Sequence, residues 1–312
     1  MRHLITRIGH NTQSTGWGIG FMLMGMIIVP IMDAIAKVLG DDMSPVQIVW
    51  GRFAFQFVFM GAAILLTLDA SALRTTQPLV HIVRGILLAV ATTFFFFSLQ
   101  FLPLATAIAI FFVQPMILTL LSALLLGERI GWHRRIAVTT GFIGALIIIR
   151  PGSESFTLAS LLPLAAATFF ASYLALTRSV ANVDHPLTMQ FASAVAATVV
   201  VSLVLAAGLI GNVSNFQPSV PSAYQLGLMA TIGMIAAVGH LLVVIAINRA
   251  PTSLLAPFGY AEIVSATVLG YLVFNDWPDT YTWLGISVIV SSGLYVLVRE
   301  RQHSTIEKDI PR

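Results

Sequence analysis

Two stretches of this chain, 85–144 and 233–292, carry one pattern in the same order, displaced by 148 positions without a gap. Gly85 answers to Gly233, Pro103 to Pro251 and Thr119 to Thr267, all identical. Gln100 answers to Asn248, Gln114 to Glu262 and Glu128 to Asp276, and Gly144 meets Ser292, one small residue for another. Both stretches are almost entirely apolar. A hydrophobic chain built as a duplicated unit is the usual plan of a secondary transporter, so the repeat constrains architecture before any other feature is read.

Only 9% of the residues are charged and 57% are hydrophobic. A soluble domain carries about 25% charged residues, so this chain cannot clothe a single core in a water-compatible surface. Apolar runs of roughly 20 residues recur, each able to cross about 30 Å of hydrocarbon. The expected class is therefore an all-α, polytopic membrane protein whose main partner is the lipid bilayer. Cysteine is absent, which removes disulfides and thiolate metal sites. The net charge of +3 does not indicate nucleic acid, because the basic residues sit in loops that set topology.

Ten apolar segments are expected, at 17–38, 46–68, 80–100, 105–127, 134–150, 157–177, 187–210, 224–247, 252–274 and 281–298. They leave short cytoplasmic tails, 1–16 and 299–312, around a first repeat at 17–150 and a second at 157–298. Turn signals separate the segments, among them Gly40-Asp41-Asp42, Pro151-Gly152 and Asn275-Asp276-Trp277-Pro278. With both termini inside, thirteen basic residues, from Arg2 and Arg7 through Arg84, Arg134 and Arg135 to Arg312, fall on or beside the cytoplasmic face. Arg150 alone falls outside, and Lys37 and Arg52 lie within or at the ends of spans. A cleaved signal peptide ending at Ala34-Ile35-Ala36 is the alternative start, but its apolar stretch is long and Asp33 precedes the small residues. Five helices per repeat is an odd number, so the second unit enters the membrane inverted. Inverted units can exchange conformations, which is a physical route to alternating access.

The segment FLPLATAIAIFFVQPMILTLLSALLLGERIGWHRRIAVTTGFIGALIIIRPG at 101–152 resembles the signature half of the drug/metabolite transporter superfamily, in its ten-helix EamA branch. INRAPTSLLAPFGYAEIVSATVLGYLVFNDWPDTYTWLGISVIVSSGLYVLVRE at 247–300 resembles the second copy, with Asn275-Asp276 in place of Gly-Glu and Glu262-Ile263 in place of Gln114-Pro115. The resemblance implies a substrate cavity near the bilayer midplane, walled by both repeats, in a multi-pass protein of the bacterial inner membrane. Within the branch, Asp33, Lys37, Trp50 and Arg52 in the opening stretch 24–56 resemble riboflavin-uptake and S-adenosylmethionine-uptake members, with riboflavin the leading expectation.

Several residues are candidates for substrate binding or coupling. Asp33 and Lys37 are four apart on one helix face, roughly 6 Å along the axis. An ionised side chain near the bilayer centre costs at least ~2.5–3.5 kcal/mol, so it faces a partner or a wet cavity. The pair is either a local ion pair near the outer interface or an Asp33 that meets substrate or proton. Arg52 either ties the first two helices together or draws polar substrate groups inward. Glu262 and its repeat mate Gln114 share one depth, where a pseudo-twofold axis can bring both to the centre; Tyr260 lies two positions before Glu262. His240 follows Gly239 deep in the eighth segment, and pairs with Glu262 in one reading and with neighbouring helices in another. Phe94, Phe97 and Tyr173 are aromatic cavity candidates, since flat faces suit a flat ring ligand.

No metal site is expected around His240, and no cofactor. The chain has no phosphate-binding Walker segment and none of the HExxH, GxSxG or paired-aspartate signatures of intramembrane enzymes. A carrier for riboflavin or another polar metabolite is the favoured reading, S-adenosylmethionine or amino-acid exchange or export the alternative. A homodimer is compatible with the sequence.

Overall fold

A chain immersed in hydrocarbon must satisfy its backbone polar groups internally, and this one does so with helices throughout. The computed structural model describes residues 12–126, 131–154, 156–180, 183–213, 216–250 and 252–306. The helices are α1 (Thr12–Leu39), α2 (Pro45–Thr67), α3 (Pro78–Ser98), α4 (Leu104–Phe111), α5 (Gln114–Leu126), α6 (Trp132–Ile149), α7 (Leu162–Ser179), α8 (Pro186–Ile210), α9 (Ala223–Arg249), α10 (Thr252–Gly259), α11 (Ala261–Phe274) and α12 (Thr280–Ile306). Among the described residues nine segments are long and apolar enough to cross a membrane, and Thr280–Val296 is a shorter apolar helix. Proline at the first turn starts α2, α3, α7 and α8, where its missing N–H costs nothing.

Three features differ from the segments expected from sequence. Helix α1 begins at Thr12 and α12 runs on to Ile306, so each enters a stretch expected to be tail. The fourth and ninth segments are not continuous: α4 and α5 are separated at Phe112–Val113, and α10 and α11 at Tyr260. Pro115, just past the first break, has no N–H to offer Phe111, and Pro257 lies just before the second. Phe112 and Tyr260 occupy equivalent places in the repeat, and their rings meet at 5.4 Å.

The two five-helix units pack as inverted images. Helix α1 lies on α9 and α11, as α7 lies on α3 and α5; α2 lies on α9, as α8 lies on α3. Helices α2 and α8 pair across the units, and so do α6 and α12. The repeat-related glycines show the same logic. A Cβ on Gly85 would stand 2.6 Å from the Ser193 carbonyl oxygen, and one on Gly233 would stand 2.5 Å from the Phe55 Cβ. Along α6 and α12, Gly144 abuts Gly285, and in the repeat-related contact Ser292 Oγ donates to the Ala137 carbonyl at 2.6 Å.

One contact breaks the symmetry. Helix α4 packs on α11 at the face opposite the chain termini. Its image, α5 against α10, is replaced at the termini face by a cavity of about 260 Å³. Polar contacts tie the opposite face: Lys37 Nζ donates to Asp276 Oδ2 and to the Leu102 carbonyl, both at 3.0 Å, and Arg150 pairs with Asp279.

Candidate functional site

Between the units, polar side chains from several helices gather in an apolar surround. Asp33 on α1, Arg52 and Gln56 on α2, Thr92 on α3 and Tyr173 on α7 are buried, and His240 on α9 and Glu262 on α11 are half-buried. Arg52 and Gln56 are four apart and share a helix face. Arg52 Nη1 donates to Thr92 Oγ1 at 3.1 Å, and Thr92 Oγ1 donates onward to the Leu88 carbonyl at 2.8 Å. Electrostatic interactions join Asp33 to Arg52 and to Glu262, and Arg52 to His240 and Tyr173.

The cluster is not satisfied by the protein. Arg52 Nε, Gln56 Oε1 and His240 Nδ1 are buried without a hydrogen-bond partner. A buried polar group left so costs about 1–3 kcal/mol, and three in one neighbourhood call for water or a polar ligand between the helices. Asp33 lies by the Arg52 guanidinium and Glu262 by Asp33, so the cluster offers both donors and acceptors to a polar molecule.

The structure separates the expected site residues into groups. Asp33, Arg52, His240 and Glu262 join the central cluster. Lys37 does not: it pairs with Asp276 rather than Asp33, and its Nζ stands 4.8 Å from the Phe274 ring centroid. Gln114 is half-buried at the start of α5, beside the break at Phe112. The hydroxyl of Tyr260 rests on Gly293. Phe94 stacks on Phe169 at 5.7 Å and Phe97 meets Phe216 at 6.4 Å. A different aromatic row leads to Tyr173: Phe95–Phe111, Phe111–Phe170 and Phe170–Tyr173, at 5.3, 5.4 and 5.6 Å. Glu128, Arg129 and Pro251 lie outside the described residues.

Sequence reasoning missed Gln56 and Thr92, and it read Arg84 as a topological charge at the membrane boundary. Gln56 had one signal, its four-residue spacing from Arg52. Arg84 is 1% exposed, inside the protein, where its guanidinium bonds Thr177, His81 and Tyr173. Asp184, on the connection from α7 to α8, accepts from Thr75, Thr76 and His81. Burial alone would raise the Asp184 carboxyl, but those hydrogen bonds outweigh it and hold it at about 2.

The termini-face cavity is a separate space. Pro115, Met116 and Thr119 of α5 form one wall, Gly259 and Tyr260 another, and Ala137, Ser292 and Gly293 the floor. At about 260 Å³ it falls just below the roughly 300–1,000 Å³ of ligand pockets, as suits a vestibule more than a complete binding site. The paired rings of Phe112 and Tyr260 belong to its lining, whereas Asp33, Arg52, His240 and Glu262 do not.

Comparison with known proteins follows this division into two units. The EamA-like transporter family matches residues 16–150 and again residues 157–298. An S-adenosylmethionine uptake transporter of Rickettsia bellii is 28% identical over 285 residues, 91% of this chain and 94% of that protein. Riboflavin transporters of Vibrio cholerae and Rhizobium johnstonii are 31% and 30% identical, over 77% and 80% of this chain and 78% and 80% of theirs. A solved crystal structure 20% identical in sequence matches with a TM-score of 0.63, covering 94% of this chain and 99% of that one, a likeness of fold.

Proposed function

We infer function from one premise: the chain belongs to the EamA-like transporter family and is a small-metabolite transporter of the bacterial inner membrane. It works by alternating access, with both termini in the cytoplasm. The observation that carries this reading is the broken symmetry of the discontinuous helices. At the face opposite the termini α4 packs on α11, leaving a polar pocket of about 290 Å³ under the α1–α2 connection that Phe97 and Gln100 help to line. At the termini face α5 and α10 are parted by the apolar cavity between the units. Exchanging those two packings between inverted units would open the other side. The excess of basic residues on the termini face supports a cytoplasmic side for that face.

Riboflavin is the first cargo to test. The aromatic row ending at Tyr173 offers planar faces beside polar groups, as a neutral fused ring with a hydroxylated chain requires. S-adenosylmethionine is the second reading, since the neighbouring carboxyl groups of Asp33 and Glu262 offer acceptor oxygens to an ammonium group. Proteoliposomes holding the purified protein should take up one of the two saturably, in competition with its unlabelled form. Glu262→Gln should cut that flux by about tenfold or more while leaving melting temperature within ordinary surface-mutation scatter, roughly 0.5 kcal/mol. Absence of saturable flux for either compound in folded protein would defeat the carrier assignment for these cargoes.

A further inference from the structure

The structure assigns Tyr173 a contact with the cargo through its hydroxyl, and gives Arg84, His81 and Asp184 the task of positioning that hydroxyl. The inference rests on the carrier reading for the central cluster but does not depend on which of the two cargoes binds there.

Which atoms can donate fixes the direction of every bond in this network. A guanidinium only donates hydrogen bonds, and an ionised carboxylate only accepts them. Arg84 spends its donors in a fixed pattern. Nε goes to Thr177 Oγ1 at 2.9 Å, Nη1 to His81 Nδ1 at 2.7 Å, and Nη2 to the Tyr173 hydroxyl oxygen at 3.2 Å. His81 Nδ1 must therefore accept, which leaves its proton on Nε2. That nitrogen stands 3.0 Å from Asp184 Oδ2, where it donates. Thr75 and Thr76 complete the Asp184 shell. Donation runs outward from Arg84, on one side to His81 and through it to Asp184, on the other to the Tyr173 oxygen.

The consequence falls on Tyr173. Its oxygen already accepts from Arg84, so its own O–H must point elsewhere, and among the described residues no protein acceptor meets it. The side chain is 5% exposed, and the guanidinium carbon of Arg84 lies 5.1 Å from its ring centroid, so the ring cannot swing freely. Tyr173 and Arg52 interact electrostatically, and both bond to α3, Tyr173 through Arg84 and Arg52 through Thr92 two turns further on. Arg52 Nε there is a second buried donor without a partner. Two unspent donors from α7 and α2 form a subsite for an acceptor oxygen of the cargo. A carboxylate of S-adenosylmethionine and an imide carbonyl of riboflavin share that chemistry. The Arg84 network is thus a positioning device: it removes the acceptor role from Tyr173 and aims what remains.

Equilibrium binding to detergent-solubilised full-length protein tests this independently of flux, with S-adenosylmethionine and riboflavin as separate probes. For the probe that binds, Tyr173→Phe should weaken binding about 3- to 10-fold, the size of one lost hydrogen bond. Arg84→Lys should weaken it comparably, and adding Arg84→Lys to Tyr173→Phe should weaken it no further. Should Arg84→Lys fail to fold, Thr177→Ser, which keeps the hydroxyl bonded to Nε and to the Tyr173 carbonyl, and Thr177→Val, which removes both bonds, serve the same cycle as a matched pair. Binding unchanged in Tyr173→Phe overturns the contact. Additive losses in the double variant overturn the positioning role, since a purely structural arginine would act without the Tyr173 hydroxyl. Binding with no flux in the wild type sinks the carrier reading alone, and no binding of either probe sinks the subsite.

Discussion

Asp184 shows how much of the protein's polar chemistry lies outside the apolar helices. Burial would raise its carboxyl above the usual 3.8, yet hydrogen bonds from Thr75, His81 and Thr76 bring it to about 2. A group whose folded pKa lies below its unfolded value contributes stability above the unfolded pKa and loses it as pH falls through the folded one. The Asp184 contribution is therefore complete above about pH 4 and fades toward pH 2. Asp184→Asn should melt lower than wild type at neutral pH, and the gap should narrow across that window. Melting in detergent, followed by the five tryptophans, reads this directly, and a gap that stays constant from pH 5 to pH 2 would count against it. The same residue shows where sequence reading stops. Arg84, His81, Asp184 and Thr75 come from separate segments, and a buried arginine near a helix end looks in sequence like any basic residue of the membrane boundary. Asp33, Arg52, His240 and Glu262 were legible because an ionisable group at mid-depth in an apolar run stands out alone.

At the scale of helices, the repeat could be read because inverted units conserve spacing wherever backbones touch. Gly85 and Gly233, equivalent in the repeat, meet equivalent partners: Gly85 touches α8 and Gly233 touches α2. The close atoms include backbone, the Ser193 carbonyl for Gly85 and the Gln56 nitrogen at 2.9 Å for Gly233, so neither site can yield by rotating a side chain. Gly227 lies on α9 with Gly233 but has nothing within 4 Å of a Cβ. Gly233→Ala and Gly85→Ala should each cost about 1–3 kcal/mol of stability, the range for overpacking. Gly227→Ala should stay within about 0.5 kcal/mol of wild type. Equal melting temperatures for the two α9 variants would contradict the packing described. The helix breaks were harder to foresee, because the two copies make them differently. Pro115 follows the break at Phe112–Val113, whereas Ile263 holds the corresponding place in the second copy and Pro257 precedes the break at Tyr260. A repeat that preserves geometry but not residue type is invisible to a position-by-position comparison.

For the whole molecule, Thr119 and Thr267 offer a symmetrical pair of reporters on the proposed exchange of access. They are repeat mates, yet Thr119 lines the termini-face cavity while Thr267 is 4% exposed in the closed opposite half. The closure has an identifiable tie across the units, the Lys37–Asp276 ion pair with the Leu102 carbonyl as a second acceptor. Both charges are partly exposed, so solvent screening keeps the pair near the usual surface value of about 1 kcal/mol or less. A shift of about 1 kcal/mol changes a two-state ratio about fivefold, enough to see when both states are populated. The chain has no cysteine, so Thr119→Cys and Thr267→Cys each provide a single labelling site. In the parent background, a maleimide applied to membranes open on both sides should modify position 119 readily and position 267 slowly. Adding Lys37→Met should raise labelling at position 267 and lower it at position 119 together, because one equilibrium governs both. High salt, which screens the pair, should move the parent in the same direction by less. A rise at position 267 without a fall at position 119 would mean local loosening of the opposite face. Only opposed changes fit one molecule exchanging which half of its repeat is closed.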